Sequence, residues 1–149
     1  MHSSRYFLCL LLLCALSLLS WTNKDSSNPV RWTFAAKPVK SDEFMLIFEA
    51  KVANNWYLYS QEVADEALPT AFYFLPNESI EFTAQTIEEI GDPVQVKAGK
   101  AYKNQVRFTT YVRLKSEQAQ LSGYVNYMTC DSEKCLPPQD VPFEFVFSH

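Results

Sequence analysis

The sequence predicts an all-β protein, an immunoglobulin-like antiparallel β-sandwich, and three observations carry that prediction. Short runs rich in β-branched and aromatic residues follow one another along the chain. Several of them alternate with period two, as half-buried antiparallel strands do. No long segment keeps a helical period. The 149 residues suit one compact domain plus a short appendage, and with 48% hydrophobic residues the chain can build a substantial core. A net charge of -4 argues against nucleic acid, which demands a basic surface.

Taken in order, residues 1–20 read as a signal peptide. Arg5 supplies the positive start, Tyr6 to Leu19 form the apolar segment, and Ala15, Ser17 and Ser20 offer cleavage positions. The apolar segment is short for a membrane span of roughly 20 residues, so export with cleavage is expected. An uncleaved segment would instead tether the domain to the membrane. Cys9 and Cys14 lie in this segment and would leave with it. Residues 21–29 form a polar linker, and residues 30–149 the sandwich domain. Its expected strands are FMLIFEAKV (Phe44 to Val52), NWYLYSQ, TAFYFLP, SIEFTAQTI, QVRFTTYVRL, LSGYVNYM and VPFEFVF. In QVRFTTYVRL, Val106, Phe108, Thr110, Val112 and Leu114 share one face, opposite Arg107 and Arg113. The nearest helical candidate, SQEVADEALP, is at most a turn or two and stops at Pro69. Glycine occurs only three times, so Asn, Asp and Pro must make most turns.

Elimination narrows the chemistry. The histidines are His2, in the signal segment, and His149, the last residue, so neither can be held beside a hydrolase nucleophile. A structural zinc site needs about four Cys or His ligands, more than the mature chain offers. No glycine-rich phosphate loop is present, and no cofactor is expected. Glu88 and Glu89, adjacent on a strand, point to opposite faces and read as surface charge. What remains is the pair Cys130 and Cys135, which in an exported protein is expected to form a disulfide.

That pair supports two readings. One is a structural staple in an exported immunoglobulin-like binding or structural module. The other is an exchange site. A ring this small removes only about 2 kcal/mol of unfolded-state entropy. Its place at a strand end, followed by Pro137 and Pro138, also leaves it open to an attacking thiolate. Asp131 and Glu133 would raise a nearby thiol pKa, and Lys134 would lower it. A second cluster, NNWYLYSQE, places Tyr57 and Tyr59 on one face of a strand. Those rings serve as core packing, as an aromatic wall beside sulfur, or, together with Trp56, as a saccharide platform.

With these residues in view, the chain resembles the N-terminal periplasmic domain of the DsbD thiol:disulfide interchange family. YMTCDSEKCLPP carries the match, and WYLYSQE resembles the family segment with two active-site tyrosines. The resemblance implies a periplasmic domain that passes reducing equivalents from a membrane-bound donor to thioredoxin-like proteins, as in cytochrome c biogenesis. It implies either a protein-disulfide reductase-type oxidoreductase or an electron carrier. It further implies that Cys135 forms the mixed disulfide with a partner and Cys130 resolves it, with Tyr57, Tyr59 and Tyr127 lining the site. The loop between the cysteines is one residue shorter than the family's usual form. In GDPVQVKAGKAYKN, Gln95, Val96 and Lys97 stand where the family carries acidic residues and a phenylalanine over the disulfide. The family's membrane carrier and C-terminal thioredoxin-like domain have no counterpart before His149, so the donor is expected on a separate chain.

Overall fold

A computed structural model describes residues 28–64 and 67–148. The expected signal segment with Cys9 and Cys14, most of the linker and His149 lie outside the described residues. Within them the chain forms twelve strands and no helix: β1 Val30–Pro38, β2 Glu43–Val52, β3 Tyr57–Val63, β4 Ala71–Phe74, β5 Ile80–Phe82, β6 Glu88–Ile90, β7 Pro93–Val96, β8 Gly99–Tyr102, β9 Gln105–Leu114, β10 Gln118–Tyr127, β11 Thr129–Cys130 and β12 Gln139–Ser148.

All the pairings between these strands are antiparallel. One sheet runs β1-β2-β9-β5, with β6 also paired to β9, and a second runs β12-β10-β4. Their inner faces make an immunoglobulin-like sandwich. Period-two patterning decides what each strand contributes. Along β9 Val106, Phe108, Thr110, Val112 and Leu114 are buried, as expected, while Arg107 faces solvent and Arg113 is half-buried. Phe48 stands at the centre, its ring 4.8 Å from Phe72, 5.0 Å from Phe143 and 5.5 Å from Phe145. Apolar side chains from both sheets meet there, so burial of aromatic area is the main force closing the sandwich.

A third, smaller sheet runs β11-β3-β8-β7. It carries the cysteine pair. Two of its strands, β7 and β8, come from a segment with no strand in the sequence reading, because runs of four residues are too short to show a period. β1 was likewise not expected. Its sequence does alternate, with Trp32 and Phe34 half-buried and Arg31 and Thr33 exposed, but alanines and Pro38 dilute its strand character.

Three expectations are corrected. SQEVADEALP begins as strand, since β3 stays extended to Val63 and pairs there with Gly99. Of SIEFTAQTI only Ile80–Phe82 is strand, and the next strand, β6, starts beyond it at Glu88. Glu89 is not surface charge. Glu88 faces solvent as expected, but the Glu89 side chain is only 7% exposed and is enclosed by polar partners.

Candidate disulfide site

Cys130 and Cys135 are joined in a disulfide, with Cα atoms 4.0 Å apart. β11 places Cys130 opposite Tyr57 on β3, one residue after Thr129 opposite Leu58. The Thr129 hydroxyl donates to the Tyr57 carbonyl at 2.8 Å, and the Leu136 N–H donates to the Thr129 carbonyl at 2.9 Å. Between the cysteines the chain turns sharply. The Asp131 carboxylate accepts the N–H groups of Glu133 and Lys134, both at 2.8 Å, and these bonds hold its pKa below the usual range. Asp131 is therefore occupied in closing the turn, the role for which Asp is favoured.

The two sulfurs are unequal. Cys130 is fully buried in a cluster with Tyr59 and Ala101, against which Val94, Val96, Ala98 and Met128 pack. Cys135 is exposed, as are Pro137 and Pro138 after it. The Tyr59 hydroxyl lies 3.6 Å from the Cys130 sulfur. A disulfide sulfur has no proton, so the phenol is the donor. Burial, reinforced by Tyr57, pushes the Tyr59 phenol up to about 12, so it keeps its proton through the neutral range. The Tyr57 ring meets that of Tyr59 edge-on, 5.6 Å between centroids. From below, Thr70 donates its hydroxyl to the Tyr59 carbonyl at 2.6 Å.

Tyr57 and Tyr59 are thus brought to the sulfurs, and Tyr127 is not. The Tyr127 side chain enters the sandwich core, its ring 5.5 Å from Trp32, and its hydroxyl meets Asn28 and Gln139. It is two residues from Thr129 in sequence but belongs to β10, whose inward face is the main core. Trp56 is half-buried against that same core and offers no open platform. The resemblance set residues 95–97 over the disulfide; what sequence reasoning missed is that this segment folds into a hairpin of the strands β7 and β8, with Val94, Ala98 and Ala101 in the cluster around Cys130. Gln95 and Val96 end β7, and Lys97 makes the turn before Gly99. In this chain a hairpin with Val94, Val96 and Ala98 packs against the cluster of Tyr59, Ala101 and Cys130. Among the described residues no group of three or more His, Cys, Asp or Glu could hold a metal ion.

An immunoglobulin-like sandwich with one buried and one exposed sulfur at the rim of an accessory sheet defines a disulfide-bearing β-domain. The chain belongs to the family described as thiol:disulfide interchange protein DsbD, N-terminal, whose model matches residues 26–146. Among solved structures, it is similar to the N-terminal periplasmic domain of ScsB from Proteus mirabilis, with 17% identity and a TM-score of 0.54 over 83% of this chain and 48% of that one. At that identity the likeness shows the fold, and this chain spans about half the length of that structure. A looser overlap, with a TM-score of 0.44 and 16% identity, links 79% of this chain to 86% of the reduced DsbD N-terminal domain from Neisseria meningitidis. No curated protein matches the sequence.

Proposed function

We propose that this domain exchanges electrons as a dithiol/disulfide through Cys130 and Cys135, taking them from a membrane-associated donor and passing them to thioredoxin-like proteins in the periplasm. The observation that carries this reading is the inequality of the two sulfurs. Cys135 is exposed to a partner, whereas Cys130 is buried against the Tyr59 hydroxyl. Family membership supports the reaction class. A staple serving stability alone gains nothing from such a difference.

In the reduced domain the Cys135 thiolate attacks a partner disulfide. One partner sulfur joins Cys135 and the other leaves as a thiolate that takes up a proton. Cys130, losing its own proton, then attacks the Cys135 sulfur and releases the partner as a dithiol. The partner has gained two electrons and the domain has lost two. Regeneration by a donor dithiol ends when its second thiolate displaces Cys135 from a mixed disulfide, and begins when its first attacks exposed Cys135 and expels Cys130 as a thiolate. That thiolate forms inside an apolar cluster, where the Tyr59 phenol is positioned to donate to it. No cofactor enters the cycle.

Cys130→Ser is expected to trap a mixed disulfide between Cys135 and a thioredoxin-fold protein, seen as an adduct on non-reducing electrophoresis, whereas Cys135→Ser gives none. Equilibration in thiol redox buffers should place the potential between about -200 and -280 mV. A bond resisting reduction until well below about -300 mV would make the domain a binding or structural module with an inert bridge.

A further inference from the structure

Among the described residues no strand pairing joins the accessory sheet that holds the disulfide to either main sheet, so beyond the short connections to β2, β9 and β10 its position depends on side-chain contacts. Glu89 sits on β6, which pairs with β9 of the main sandwich. Between Tyr59 and Val63 the β3–β8 register is interrupted, leaving Ser60 and Gln61 without partners on β8. The Gln61 N–H donates to Glu89 Oε1 at 2.6 Å, and the Ser60 hydroxyl donates to Oε2 at 2.7 Å. From β8 the Tyr102 hydroxyl and the Lys100 ammonium reach the same Oε2, at 2.7 and 3.0 Å. One carboxylate therefore ties two strands of the accessory sheet to the main one. A nearly buried charge is tolerated because four donors, one of them the Lys100 cation, surround the carboxylate.

These partners are neighbours of the sulfur site. Ser60 follows Tyr59 directly, and Lys100 and Tyr102 flank Ala101, which packs against Tyr59 and Cys130. We propose that Glu89 is a positioning residue for the disulfide: by clamping β3 at its irregularity to β8, it holds the Tyr59 hydroxyl against the Cys130 sulfur. The inference rests on the exchange reading of the site. Glutamine cannot replace Glu89, because its NH2 group would face donors.

The test is the rate at which dithiothreitol reduces the oxidised protein in a single turnover. Its thiolate bonds to Cys135, the Cys130–Cys135 bond breaks, and the electron pair leaves on Cys130. Glu89→Gln is expected to slow this step about three- to tenfold, the range one positioned hydrogen bond commands. Tyr59→Phe should slow it similarly, and the double variant should be no slower than Tyr59→Phe alone. Ser60→Ala, which loosens the clamp with the carboxylate in place, should slow it by a smaller factor and serves if Glu89→Gln does not fold. Phe145→Leu, a core truncation on β12, should lower stability without changing the rate. An unchanged rate in both Glu89→Gln and Ser60→Ala would overturn the proposal. So would a slowing that persists in full when Tyr59 is already phenylalanine, or an equal slowing in Phe145→Leu. Because dithiothreitol replaces the biological partner, these results stand apart from the trapping experiment, whose failure would count against the exchange reading alone.

Discussion

At the residue scale, burial separates groups that look alike in the sequence. Cys130 and Cys135 share a turn, yet only one meets solvent. Glu88 and Glu89 are adjacent, yet only Glu89 is enclosed. Burial pushes the Glu89 carboxyl up, but hydrogen bonds from Gln61, Tyr102, Ser60 and Lys100 outweigh it and hold the group below its ordinary value of 4.5. A carboxyl lowered by folding stabilises the fold above its unfolded pKa, and that contribution is lost as pH falls through the folded value. Glu89→Gln is therefore expected to cost about 2 kcal/mol near neutral pH, measured by urea unfolding. The gap to the wild type should narrow below pH 4.5, as protonation leaves the wild-type group as uncharged as the glutamine. The cysteines were legible from their spacing and the prolines after them. The role of Glu89 was not, because its partners lie 28 and 29 residues before it on β3 and 13 after it on β8. No local pattern records such a meeting.

At the scale of elements, the β7–β8 hairpin matters most to the site. Val94 and Val96 alternate with exposed Pro93 and Gln95, which is the strand pattern in its shortest form. The hairpin needs Gly99, whose φ of +115° is a conformation side chains rarely adopt. A Cβ there would also lie 3.3 Å from the Ala64 nitrogen. Gly99→Ala is expected to destabilise the hairpin by about 1 kcal/mol or more. Hydrogen exchange should speed in β7 and β8 before it speeds in β9, because local opening costs less than global unfolding. Alanines and Pro38 hid the nine-residue β1, whereas β2, β9, β10 and β12 were legible because ten residues show a period. The short strands of the accessory sheet were not, since β11 is two residues long and exists only because β3 lies beside it.

At the scale of the whole molecule, stability resides in the aromatic core and chemistry at its edge. Phe48 touches rings from β1, β4 and β12, so both sheets depend on it. Phe48→Ala should cost about 3–5 kcal/mol, a large share of the roughly 5–15 kcal/mol that holds a domain folded, and would be read as a large fall in the thermal midpoint. The sequence by itself determined the fold class, the inward face of β9, the cysteine pair and the two tyrosines on one strand face, because alternation and motif spacing are local properties. Only the tertiary structure decided that Cys130 is buried and Cys135 exposed, that Tyr127 turns to the core, and that Glu89 joins the accessory sheet to the sandwich. Those outcomes depend on which distant strands come together, and that is settled by packing two sheets and an edge layer at once.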